Sequence, residues 1–162
     1  MKIVTNATIL IGLSKIKRFN LLKEIFKEVI IPESIYNEVI IEGVGKLGSE
    51  ETKNADWIKV QSVKNFSLKE DLLVILGEGE AEVITLAIEI NADILLLDEL
   101  SARKIAGLKG LKVMGLIGIL IEAKQRGIIQ SVKDEWNKLI KEGMYYSTVF
   151  YEEVLKRIEE WE

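Results

Sequence analysis

At 162 residues, 48% hydrophobic and with one proline, the chain can build a core of its own and is not composed like a disordered one. It has no cysteine, which excludes disulfides and thiolate chemistry, and no histidine, which removes the commonest general base and zinc ligand. A net charge of −4 is not that of a protein coated for nucleic acid, and any metal must be held by oxygens, favouring magnesium or manganese over zinc.

The first apolar run, Lys2-Ile3-Val4-Thr5, has strand length and is closed by Asn6-Ala7-Thr8. A helix begins over Ile9 to Leu13, and Phe19 to Phe26 continues with Leu21, Leu22, Ile25 and Phe26 at helical spacing. Val29-Ile30-Ile31 is a second short strand. Pro32 then suits the first position of a helix over 33–42 that carries Glu33 and Glu38. The glycine-rich stretch 42–48 is the clearest flexible segment, 49–55 is weakly helical, and Trp57 to Val60 alternates like an edge strand.

A charged-then-apolar helix over 68–76 stops at Gly77. Gly79 to Ile90 has the strongest helical pattern and feeds a central strand, 94–97, closed by Asp98-Glu99. A helix from Glu99 to Leu108 ends before Gly110, 111–113 is a final short strand, and Gly115 to Lys124 is a strongly apolar helix. The alternation predicts an α/β fold with a mostly parallel sheet. No linker or repeat divides the chain, so a single domain over 1–162 is expected, with C-terminal helices 131–141 and 147–161 packed on it. The longest apolar stretch, Val113 to Ile121, is far short of a membrane span. No basic-then-apolar leader opens the chain, so a cytoplasmic protein is expected. Usage rich in Lys, Glu and Ile is reminiscent of thermophile proteins.

In open parallel sheets, ligands bind beyond the carboxyl ends of the strands, where the order of connection reverses. Asn6 and Asp98 each end a strand and would face such a crevice. Each is also a sound helix N-cap. On the helix from Gly79, Glu80 shares the apolar line of Ile84 and Ala87 and points toward the sheet, whereas Glu82 falls with Thr85 and Glu89 on the wet face. Alone, Glu80 reads equally as a first-turn acid complementing the helix dipole. Glu38 borders the apolar positions Ile35 and Val39. Three carboxylates brought together repel unless protons or a cation intervene, and bound Mg²⁺ or Mn²⁺ would relieve that repulsion while activating water against a phosphoryl group. Two basic clusters, Lys15 with Lys17 and Arg18, and Arg103 with Lys104, read as solvated faces or as tracks for an RNA backbone.

The stretches Val4 to Ile11, Ile31 to Val39, Gly79 to Ile84, Leu96 to Glu99 and Gly115 to Gly118, in this order and spacing, resemble the PIN-domain superfamily over nearly the whole chain. The likeness is to small PIN-like proteins related to toxin–antitoxin ribonucleases. It implies a three-layer α/β/α sandwich and hydrolysis of RNA by a metal-activated water. It also implies a homodimer held inactive by a small antitoxin. By that resemblance Asn6 stands where an aspartate usually binds metal, Thr8 is a supporting hydroxyl, and Glu38, Glu80 and Asp98 are the other acidic positions. Glu82 and Glu99 are auxiliaries. An amide at position 6 brings no charge, so metal affinity should fall. The competing expectation is a PIN-like module that binds RNA or a partner without cleaving. A nucleotide-binding domain of another class is disfavoured, because Gly77-Glu78-Gly79 lacks dinucleotide spacing and no phosphate-binding Gly-Lys-Ser/Thr occurs.

Overall fold

The computed structural model describes residues 1–162. Five strands, β1 (Ile3–Thr5), β2 (Val29–Ile31), β3 (Ile58–Val60), β4 (Ile94–Leu96) and β5 (Val113–Met114), form one sheet in the order β3-β2-β1-β4-β5. Every pairing is parallel. Strands covered on both faces read as unbroken apolar runs, and β1 and β4 are buried at every position. The strand at 57–60 is indeed an edge, half-exposed and carrying Lys59. The last strand lies two residues later than its apolar pattern suggests, because Val113 and Met114 are the residues that align with Leu95 and Leu96.

Helix α1 (Ala7–Lys15) and α2 (Leu21–Phe26) link β1 to β2. Helix α3 (Glu33–Tyr36), a π-turn over Asn37–Ile41, and α4 (Ser49–Asn54) link β2 to β3. Helices α5 (Phe66–Leu73) and α6 (Glu78–Glu89) return across β1 to β4, and α7 (Leu100–Leu108) connects β4 to β5. Right-handed crossovers in opposite directions along the sheet place these groups on its two faces. Three helices finish the chain: α8 (Leu116–Gln125), α9 (Val132–Lys141) and α10 (Thr148–Arg157). Helix α8 packs on α1 and α2, and α6 packs on β1 and β4. Trp136 of α9 and Leu155 of α10 are fully buried in the same apolar cluster as β1 and β4. The last helix is shorter than the expected 147–161. It ends at Arg157, and the chain turns through Glu159 at φ 61°.

The order of connection reverses between β1 and β4, where Thr5 pairs with Leu96. Helices that follow a parallel strand start at the sheet's carboxyl edge, and α6, which precedes β4, also begins there. The residues after β1 and β4, the start of α3 and the first turn of α6 therefore share one edge of the sheet.

Candidate metal centre at the carboxyl edge of the sheet

Asn6 leaves β1 in an extended conformation and caps α1: the Ile9 N–H donates to Asn6 Oδ1 at 3.2 Å. The residue is 1% exposed, and its Nδ2 has no hydrogen-bond partner. The free atom of this amide is thus its nitrogen. The oxygen on which the metal expectation rests is also the cap of α1, and it keeps a second lone pair beyond the Ile9 N–H. Thr8 is exposed on the first turn of α1.

Asp98 follows β4, and the capping of α7 falls to its neighbour. Glu99 accepts from the N–H groups of Ser101 and Ala102 at 3.2 and 2.8 Å, and from the Ser101 hydroxyl at 2.6 Å. Glu99 is therefore occupied as a cap, and Asp98 is left for longer-range contacts. Asp98 Oδ1 accepts from the Leu116 N–H at 3.2 Å, and the Tyr146 hydroxyl donates to Oδ2 at 3.4 Å. Arg103 Nη1 stands 4.0 Å from Oδ1. Burial pushes the Asp98 carboxyl up, against the opposing pull of Leu116, Arg103 and Tyr146. Gly115 makes this seat possible, since a side chain there would collide with Asp98 Oδ1 and Arg103 Nη1. Its backbone is extended, so the requirement is space rather than conformation.

The π-turn brings the second pair of acids together. Such a turn inserts a residue into a helix and re-aims the side chains around it. Glu38 sits within it, and its Oε1 comes within 3.4 Å of where a Cβ on Gly79 would stand. Glu38 thus lies beside the first turn of α6, where Glu80 is half-buried, and the tightest neighbour of Gly79 is Ile35 Cδ1, 3.2 Å from where a Cβ would stand. Burial first, then the charges of Glu80 and Glu42, push the Glu38 carboxyl up. Neither Glu38 nor Glu80 takes part in an ion pair.

Glu82 is not on a wet face. It is 8% exposed, accepting from the Ser34 N–H at 3.0 Å and pairing with Lys69 Nζ at 2.6 Å. Burial opposes its ionisation, but Lys69 and Ser34 outweigh that and hold its carboxyl below the usual range. Its wheel position mispredicted exposure because α5, arriving from elsewhere in the chain, covers that side and brings Lys69. Among the basic residues, Arg18 is tied to Glu135 by contacts of 2.8 and 3.3 Å, fastening the α1–α2 turn to α9. Lys15 lines a groove that also holds Glu38, Glu42 and Lys46. Lys17 and Lys104 are exposed, and Arg103 is beside Asp98.

The edge therefore holds Glu38 with Glu80 as a like-charged pair and keeps Asp98 apart, turned toward α8 and Tyr146. No group of three acidic side chains lies close enough together to hold an ion. The pair still fits a hard divalent cation. Its donors are oxygens, neither acid is in an ion pair, and magnesium is usually bound by one or two carboxylates with water and substrate phosphate supplying the rest. Tyr146 and Gly115 shape the Asp98 seat without chemistry of their own. Sequence pattern marks Gly115 only as a helix start, and Tyr146 only as part of an aromatic run that could cover the cleft.

No curated protein is similar enough to match the chain. A family model described as a PIN domain matches residues 2–160, in accord with the five-stranded parallel sheet and the acids at its carboxyl edge. With all but the outermost residues covered by that match, the chain belongs to the PIN-domain family.

Proposed function

We propose that this protein is a Mg²⁺- or Mn²⁺-dependent endoribonuclease, the toxin of a toxin–antitoxin pair, acting as a homodimer. PIN domains are generally nucleases, so a nuclease fold is the starting point. The observation that carries the reading is the pair of Glu38 and Glu80, neither of them in an ion pair, at the sheet edge where connection order reverses. Glu38 and Glu80 would hold the ion, with Asp98 at the neighbouring strand end. When bound, the metal neutralises charge on the scissile phosphate and makes its coordinated water more acidic. Water attack breaks the P–O bond to the leaving ribose oxygen, which takes a proton from solvent. Asp98, its carboxyl raised by burial, accepts the proton of the attacking water at Oδ2, where its only partner is the Tyr146 hydroxyl. Arg103 meets the phosphate charge, and Lys104 follows it on the same helix.

The expected result is cleavage of single-stranded RNA by the purified, partner-free protein with Mn²⁺ or Mg²⁺. Chelator should abolish it, and Asp98→Asn should lower it by about 10²-fold or more, the scale of general-base catalysis. No cleavage with either metal would sink the nuclease reading. A second reading, a PIN-like module that binds RNA or a partner without cleaving, is favoured by one observation: position 6 is an amide, which brings no charge to an ion. That reading predicts RNA binding that survives both chelator and Asp98→Asn.

A further inference from the structure

Asp98 also lies at one end of a cavity of about 700 Å³ between β5, the start of α8 and the 144–154 segment. Its walls are apolar, with Met114, Ile121 and Val154 among them. Its rim carries two aromatic rings, Tyr145, 88% exposed, and Phe150, 44% exposed and packed by its other side on Trp136 and Tyr146. Its polar end holds Asp98, Arg103 and the Tyr146 hydroxyl. We propose that this cavity takes one unstacked nucleobase of a single-stranded RNA, stacked on Tyr145 and Phe150, with the adjoining phosphate at Arg103. The inference rests on RNA being the substrate, as proposed above, and adds where a base of that strand is held.

Three features favour this occupant. The volume falls in the range of small-ligand pockets. Flat, exposed aromatic rings give any base a π-face to stack on, and sequence-tolerant binding of single strands uses such rings beside a positive group. The polar end carries Asp98, which follows β4 at the carboxyl edge of the sheet, so a base in the cavity leaves its sugar-phosphate at that edge. A purely apolar protein segment would leave Arg103 and Asp98 facing a surface with nothing to offer them.

The test is binding of a fluorescently labelled single-stranded hexaribonucleotide, followed by anisotropy in chelator so that nothing is cleaved. One nucleotide at a time is replaced by an abasic one. Tyr145→Ala removes a ring that is almost wholly exposed, so the fold should survive; thermal melting checks this for both Tyr145→Ala and Phe150→Ala. Loss of a stacked base should weaken binding by about 5- to 150-fold. The proposal expects that loss at one abasic position and in Tyr145→Ala, with little further loss when the two are combined. Equal binding at every abasic position overturns it, even if a protein variant misfolds. So does wild-type affinity in Tyr145→Ala, or failure of the wild-type protein to bind RNA while it takes up an apolar peptide. The two readings separate cleanly. A protein that shows the base signature but cleaves nothing refutes the nuclease, and one that cleaves without the signature refutes this site.

Discussion

Two acids and a glycine hold the chemistry of the edge. Glu38 lies against Gly79 at the start of α6, and there it meets the charge of Glu80. Replacing Glu80 by Gln should lower the Glu38 titration toward the ordinary carboxylate range, read by carboxyl NMR across pH 3 to 8. A raised folded-state pKa means the folded protein holds the proton longer than the unfolded chain. Stability from Glu38 therefore falls as pH rises from the usual glutamate range through the raised value, and Glu80→Gln should lessen that fall, leaving the larger part that burial causes. Asn6→Asp makes the opposite kind of change. An aspartate keeps the α1 cap with one oxygen and replaces the orphaned nitrogen with a second, charged oxygen. Calorimetry should therefore find Mn²⁺ bound at least about tenfold more tightly by this variant; equal or weaker binding would mean that position 6 does not face the ion. The strand-end positions of Asn6 and Asp98 were legible because apolar runs stop there. The atom each would offer was not, since that depends on Ile9 for one and on Leu116 and Tyr146, far along the chain, for the other.

Among the elements, periodicity located the helices well and their ends less well. The helix beginning at Pro32 was legible, but its π-turn was not, because no residue pattern marks the inserted position that re-aims Glu38. The cap of α7 fell to Glu99 rather than Asp98, a choice between adjacent acids that propensity cannot make. The C-terminal helices are fastened by a contact with no sequence signature. Glu160, just beyond α10, accepts from the N–H groups of Val132 and Lys133 at 3.0 and 2.9 Å, from the Ser131 hydroxyl at 3.0 Å and from Lys124 Nζ at 2.6 Å. Burial opposes its charge, but these donors bring its carboxyl down to about 2. A depressed carboxylate stabilises above the usual glutamate range and loses that contribution as pH falls toward about 2. Glu160→Gln should thus cost about 1–3 kcal/mol at neutral pH, measured by denaturant unfolding, with the gap to wild type closing at pH 2–3. A gap that stayed constant with pH would remove the charge from this account.

Across the whole molecule, the fold was legible because strands and helices alternate and the buried strands are continuous apolar runs. The order β3-β2-β1-β4-β5 was not written in any one segment; it follows from which runs pair and from the hand of the crossovers. That order puts residues 6, 38, 80 and 98 at one edge, yet only Glu38 and Glu80 are drawn together there. The central claim is that this pair is where a divalent cation enters. Electron paramagnetic resonance of Mn²⁺ titrated into the full chain tests it directly. One bound ion is expected in the wild-type protein, weakened at least about tenfold in both Glu38→Gln and Glu80→Gln, since each removes one of the one or two carboxylates such an ion relies on. Unchanged Mn²⁺ affinity in both variants, with their fold intact, would contradict the account.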